Sequence, residues 1–325
     1  MQIQINRNQR EMKRHGEYAF PLLVSRESIT DYEFSTFSWH WHPEMELTLV
    51  EEGEMVYQIN GTAYHLRKGN VLFGNSNALH SGHAIDRQIC RYISITFDPR
   101  LLYGFEGSLF QKKYVEPLVD DYDCSSVCFD GSQPWHAGIR QKMKQLINLW
   151  DGAEDFYEFR MQIALEEIWL LLLEHQEAFA VEKPRILPRE LKRLKKILGF
   201  IHENYSKKIT LEEIAGAVPF CKSECCRFFK RYMRESLFEY LQRYRVEQSL
   251  SVLENPECSV TDAAYSCGFE DAGYYSKVFR KYMGRSPRDY KKESKKLDME
   301  QTPAGMLKTD FVWKSKAQNT SSDTM

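Results

Sequence analysis

A chain of 325 residues fits roughly two domains, and its formal net charge of −2 conceals a split. Residues 183–296 carry 25 Lys+Arg against 15 Asp+Glu, while the remainder carries 19 against 31. The strongest apolar block, Ile168–Leu173, is too short for a membrane span, the N-terminus holds no run like a signal peptide, and eight cysteines form no regular framework, which together point to a reducing cytoplasm.

Residues 18–98 read as short strands between turns. Val56–Ile59, then Asn60-Gly61, then Thr62–Leu66 is a hairpin pattern, because Asn-Gly supplies the positive φ angles of a type I′ turn. Further turns at Glu51–Glu54 and Lys68–Asn70 complete a pattern expected of a small β-sandwich or barrel. From residue 99 to 180 the region is connecting and helical. Met161, Leu165, Ile168 and Leu172 lie on one helix stripe, and an earlier helix holds Met143, Leu146, Ile147 and Trp150. The stripe suits either dimerisation or packing onto the barrel. Residues 181–190, with Pro184 and Pro188, form the expected linker, and the polar residues 293–325 are expected to be a disordered tail.

The basic region contains an internal repeat. Phe229, Lys230, Tyr232, Met233, Ser236 and Tyr240 recur 50 positions later as Phe279, Arg280, Tyr282, Met283, Ser286 and Tyr290. A duplicated basic and aromatic helical unit suits duplex DNA, whose major groove returns to the same face about every 34 Å. The first unit opens on the capping box Thr210/Glu213, turns at Val218-Pro219-Phe220, and continues in a helix over 222–233. A long helix over 237–253 leads to Asn255-Pro256. The second unit starts at Ser259, ends its first helix at Gly268, and caps the next with Asp271. Cys225 and Cys267 read as small core residues, and Cys221, Cys225 and Cys226 lack the companion ligands of a zinc site.

The stretch from Lys192 to Lys291 resembles the C-terminal domain of AraC/XylS-type transcription regulators. The residues that carry the resemblance are Ala264, Gly268-Phe269, Asp271, Tyr274-Tyr275, Phe279-Arg280, Gly284, Ser286-Pro287 and Tyr290. It implies an all-α double helix-turn-helix domain over residues 191–292, with the second helix of each unit in the major groove. The base-facing residues it implies are Ser223, Cys226 and Arg227, then Ala272, Gly273, Ser276 and Lys277; Lys230, Arg280 and Lys281 would lie nearer phosphates. Arg227 is the expected base reader, since a guanidinium grips guanine O6 and N7 with two bonds. Two departures stand out. Arg234 replaces a usual Gly, so the exit turn of the first unit is expected to differ, and Ala272 and Gly273 leave little side-chain readout in the second.

In the N-terminal part, His40-x-His42-x3-Glu46-x6-Gly53 and Gly69-x5-Asn75-x-Asn77-x2-His80 resemble the two motifs of the cupin barrel, including its metal-holding positions. Residues two apart on a strand share a face, so His40 and His42 are expected to point inward together. Phe34 stands where the first motif is usually preceded by Gly. Regulators of this architecture use the barrel as a sensor for a sugar or another small metabolite. His40, His42, Glu46 and His80 are therefore expected to line an effector pocket without a cofactor, or to bind a divalent metal.

These observations predict a multidomain α and β protein: an N-terminal cupin-like barrel with a helical segment, then the double helix-turn-helix domain. The expected function is a cytoplasmic, non-enzymatic, sequence-specific transcription regulator of double-stranded DNA, responding to a small molecule and acting as a homodimer. The alternatives are a metal-dependent cupin enzyme with an accessory DNA-binding domain, and a nonspecific architectural DNA binder.

Overall fold

Side-chain alternation builds the N-terminal half into two facing antiparallel sheets. The computed structural model describes residues 2–6, 9–121, 124–176 and 188–292. Its strands are β1 (Leu22–Ser28), β2 (Thr36–His40), β3 (Met45–Glu52), β4 (Glu54–Ile59), β5 (Thr62–Arg67), β6 (Val71–Gly74), β7 (His80–Ala84), β8 (Arg91–Phe97) and β9 (Ser126–Phe129). One sheet has the order β1-β8-β3-β6-β9 and the other β2-β7-β4-β5. The hairpin β4–β5 turns at Asn60 and Gly61, with φ of 47° and 85°, as the Asn-Gly pair predicts. The barrel does not end at residue 98. Strand β9 pairs with β6 and completes the larger sheet; although Asp130-Gly131 follows it, four residues carry too little alternation to be read in advance.

The larger sheet has two unlike faces. Leu47, Leu49, Ile93, Ile95 and Phe97 point outward and pack beneath helices, while Glu46, Thr48, Ser94 and Thr96 point into the barrel. Short helices α1 (Arg100–Tyr103) and α2 (Glu116–Val119) precede the pair α3 (His136–Gly152) and α4 (Tyr157–Glu174). Met143, Leu146 and Ile147 of α3 join Met161, Leu165, Ile168 and Leu172 of α4 in the core against this sheet. Burial against the barrel thus consumes the stripe considered for dimerisation. The opposite side of α4 leaves Phe159, Ile163 and Leu170 exposed.

The C-terminal half comprises α5 (Pro188–Asn204), α6 (Leu211–Gly216), α7 (Lys222–Met233), α8 (Leu237–Glu254), α9 (Val260–Ser266) and α10 (Ala272–Met283). Of the expected linker, residues 188–190 already belong to α5 and residues 181–187 lie outside the described residues, as does the expected tail, 293–325. Capping boxes start three helices: Thr210 with Glu213, Ser236 with Glu239, and Ser259 with Asp262. Asp271 caps α10 by accepting from the Tyr274 amide at 2.5 Å. Helix α8 runs through both cores, giving Leu237, Tyr240, Leu241 and Tyr244 to the first unit and Val246, Leu250 and Leu253 to the second.

One sequence expectation is corrected at the end of α7. Arg234 adopts φ 62° and ψ 5°, nearly the conformation of its repeat partner Gly284 at φ 72° and ψ −4°. The exit turn does not differ; the arginine takes the left-handed cap that glycine usually fills. Phe34 behaves likewise at φ 62°, held by an edge-on contact with Tyr282.

The barrel rests on both helix-turn-helix units. Trp39 and Leu79 are buried in the same core as Phe229, Tyr232 and Met233 of the first unit. Lys195 of α5 sits 3.9 Å from the Trp41 ring centroid and donates to the Asn77 carbonyl, while Arg87 donates to the Tyr282 carbonyl of the second unit at 3.0 Å.

Candidate effector site and nucleic-acid interface

A β-bulge sets the geometry of the barrel site. Phe37 faces Gly82 and His40 faces His80, so two residues of β2, Ser38 and Trp39, oppose one residue of β7. The bulge turns Phe37 and His40 inward and sends Ser38 and Trp39 toward the DNA-binding helices. His42 lies beyond β2, in the turn before β3, and its carbonyl accepts from the Asn77 amide at 2.9 Å. The turn, rather than the strand parity expected of it, brings His42 beside His40. Glu46 comes from β3 and His80 opens β7.

All four sequence-predicted residues converge. The His40 and His80 ring centroids are 4.1 Å apart, those of His42 and His80 5.0 Å, and those of His40 and His42 6.1 Å. Each histidine donates Nδ1–H to a main-chain carbonyl: His40 to Ser38 at 2.8 Å, His42 to Glu44 at 3.1 Å, and His80 to Ala78 at 2.9 Å. A carbonyl only accepts, so Nδ1 of each ring carries a proton and Nε2 faces the interior. Nε2 of His42 and of His80 are buried with no hydrogen-bond partner. Glu46 Oε1 accepts from the Thr48 hydroxyl at 2.6 Å and the Tyr57 hydroxyl at 2.9 Å, leaving Oε2 directed at His42 Nε2, 3.4 Å away.

Burial pushes the His40 and His80 imidazoles down, His80 strongly, against the opposing pull of nearby carboxylates. Burial alone would raise the Glu46 carboxyl, but the neighbouring imidazoles and the Thr48 hydroxyl overcome it and hold it well below the ordinary range. Burial therefore disfavours charge on His40 and His80, while Glu46 is held ionised.

Sequence reading missed the N-terminal arm. Glu11 Oε2 lies 3.1 Å from His15 Nε2 and 3.8 Å from His40 Nε2, and His15 also approaches Glu44. Burial opposes ionisation of both groups; their mutual bond and charges prevail, taking Glu11 down to about 2 and His15 up to about 9. Arg10 bridges to Trp41, which anchors the arm across the mouth. The Glu-x3-His spacing suggests a helix face, yet no helix forms there, so spacing carried no usable signal. The cavity left beneath the arm measures about 40 Å³.

On the other half, Ser223, Arg227 and Lys230 of α7 and Gly273, Lys277 and Arg280 of α10 are exposed, as is Lys281. Cys226, Ala272 and Ser276 are half-buried, and the Ser276 hydroxyl donates to the Ala272 carbonyl. Tyr274, unremarked as a contact residue in the sequence, is 48% exposed on the same face, its hydroxyl tied to Gln242.

Comparison with known proteins bears directly on these two halves. Residues 28–172 match the model of the AraC-like ligand binding domain, and residues 209–293 match a helix-turn-helix domain. An HTH-type transcriptional regulator, YdeC of Bacillus subtilis strain 168, is 30% identical over 288 residues, covering 89% of this chain and 97% of its own. The chain belongs to the AraC/XylS family of transcription regulators. Other AraC-family relatives include the melibiose operon regulatory protein of Escherichia coli K12, 24% identical over 78% of this chain and 83% of its own. The transcriptional activator RhaS of Enterobacter sp. strain 638 is 25% identical over 78% and 87% respectively. As an AraC-family member, the chain pairs a ligand-binding barrel with a helix-turn-helix DNA-binding domain, and no helix of the described residues is long and apolar enough to cross a membrane.

Proposed function

We propose that this regulator reads double-stranded DNA with the exposed faces of α7 and α10 and adjusts that binding through a ligand held by His40, His42, Glu46 and His80. The observation that carries the reading is the double role of β2. Its inner face presents His40 to the site, and its outer face packs Trp39 into the core of the first helix-turn-helix unit. A ligand that prefers one arrangement of β2 shifts the DNA-binding equilibrium by its differential affinity.

Arg227 is assigned to base readout and Lys230, Arg280 and Lys281 to phosphate contacts; Ser223, Cys226, Ala272, Gly273, Ser276 and Lys277 line the rest of the groove-facing surface. A non-enzymatic role is supported by the relatives, which are named as regulators of transcription. Pockets for organic ligands run to roughly 300–1,000 Å³, against about 40 Å³ here. A carbohydrate effector, in keeping with the melibiose operon relative, enters only if the arm carrying Glu11 lifts away. Homodimerisation in the cytoplasm completes the reading, with exposed Phe159, Ile163 and Leu170 of α4 as the candidate contact. Selection of operators from a random DNA pool by the full-length protein tests the function: recovery of a recurring sequence supports it, and uniform recovery favours an architectural binder.

A further inference from the structure

We propose that the groove between α5 and the barrel is a second ligand site, for a phosphorylated molecule with an aromatic body, the chemistry of a nucleoside polyphosphate. The site lies outside the barrel interior and goes beyond the reading of His40, His42, Glu46 and His80.

The first observation is positive charge without a counterion. Arg189, Lys192 and Lys196 line the groove at helical spacings of three and four residues, and all three are exposed. Among the described residues none of them makes an ion pair. Like charges so spaced on a helix repel, and an anion in the groove would relieve them. The carboxylate among the described lining residues is Glu203, about two turns beyond Lys196.

Lys195 adds the most buried cation of the group. Its ammonium sits 3.9 Å from the Trp41 ring centroid and donates to the Asn77 carbonyl at 3.1 Å, both on the barrel wall. Burial takes its pKa down to about 8, and no carboxylate stands near enough to oppose the shift. Arg193, by contrast, covers the Phe220 ring at 4.7 Å and takes no part in the groove.

Shape and apolar surface set the rest of the ligand. The groove measures about 810 Å³, within the roughly 300–1,000 Å³ usual for organic ligands. Trp41, Leu191 and Phe200 lie beside the cations, so an aromatic ring has a platform on which to stack. Phosphates suit the cations, because a guanidinium grips them with two bonds and an ammonium acts as a point charge.

Duplex DNA is the competing polyanion. The barrel wall at Trp41 and Asn77 stands in the way of a rod lying along this face of α5, and it belongs to the acidic part of the chain. Trp41 also ties the groove to the N-terminal arm. Its amide donates to the Gln9 carbonyl at 3.0 Å, and its carbonyl accepts from the Glu11 amide at 2.9 Å. A ligand stacked on Trp41 therefore bears on the segment that lies across the barrel mouth.

Isothermal titration of full-length protein with ATP, and separately with inorganic tripolyphosphate and with adenosine, tests the site. The expected result is one ATP per chain, with tripolyphosphate and adenosine each at least about 10-fold weaker, since each leaves part of the groove unused. Lys192→Gln combined with Lys196→Gln should weaken ATP binding at least about 10-fold. Lys230→Gln, on the DNA-facing helix, should leave ATP binding unchanged. Electrophoretic shift on DNA at low salt follows the same variants. Absence of ATP binding overturns the proposal, as does tripolyphosphate binding as tightly as ATP. Equal losses in the Lys192/Lys196 and Lys230 variants would reduce the binding to general charge attraction and overturn it as well. A Lys192/Lys196 variant that binds ATP like wild type but loses affinity for DNA would assign these cations to the DNA surface instead.

Discussion

Ser38 of the barrel and Glu247 of the long helix α8 meet across the domain junction, with Oγ donating to Oε2 at 3.3 Å. The carbonyl of the same Ser38 accepts from His40 at 2.8 Å. One residue therefore touches the candidate ligand site with its main chain and the DNA-binding domain with its side chain. The bulge in β2 makes this possible, because it turns Ser38 outward while His40 remains inside. A double-mutant cycle of Ser38→Ala and Glu247→Gln should show a coupling of about 1 kcal/mol in chemical denaturation. Additive effects would mean that the contact transmits nothing.

Behind the buried Glu247 stands an ion triplet completed by the half-buried Arg243 and Glu235. The Arg243 guanidinium donates to Glu247 at 2.6 Å and to Glu235 at 2.8 Å. Burial pushes the Glu247 carboxyl up, and Arg243 is what opposes it. Arg243→Ala leaves two carboxylates without their cation and should destabilise the protein by about 3–5 kcal/mol. Denaturant melts check this. A loss below about 1 kcal/mol would show that water replaces the guanidinium at no great cost.

The left-handed cap at Arg234 predicts a gain. A non-glycine residue in that region carries strain of about 1–3 kcal/mol, part of which glycine returns as chain entropy on unfolding. Arg234→Gly should therefore stabilise the protein by about 1 kcal/mol, measured in the same melts, while Gly284→Ala, at the equivalent cap, should destabilise it. A loss of stability in Arg234→Gly would place a compensating interaction on the arginine side chain.

His202 gives the DNA-binding domain an acid-sensitive element. Its ring stacks on Tyr244 with centroids 4.0 Å apart and shares a 2.7 Å hydrogen bond with the Tyr240 hydroxyl. Burial, aided by the Arg243 charge, takes its pKa down to about 3. The unfolded chain binds this proton below about pH 6.5 and the folded one does not, so protonation favours unfolding. The contribution is complete above about pH 6.5 and is lost as pH falls toward 3. Between pH 7 and pH 5 the stability advantage of wild type over His202→Gln should shrink by about 2 kcal/mol. A difference independent of pH would contradict the neutral, buried state.

Legibility in the sequence followed the range over which each feature is determined. Helices α6 and α7 were readable because the cap Thr210 and Glu213 lie three residues apart and the buried Phe228 and Phe229 lie within one turn. His40, His42, Glu46 and His80 were readable as a set because their spacing matches a barrel motif. The bulge was not, since it depends on how β2 registers against β7, and Glu11 was not, since an irregular arm imposes no periodicity.

The central claim is that α7 reads sequence while its basic flank holds phosphate, and paired variants measured on two DNAs test it most directly. Binding of full-length protein to a selected operator and to a scrambled duplex should be followed across a range of salt concentrations. Arg227→Ala should lose about 1–3 kcal/mol on the operator and little on the scrambled duplex, with relaxed preference at one base pair. Lys230→Ala should weaken both duplexes alike and lower the salt slope by about one unit. Equal losses on both duplexes from both variants would contradict the account.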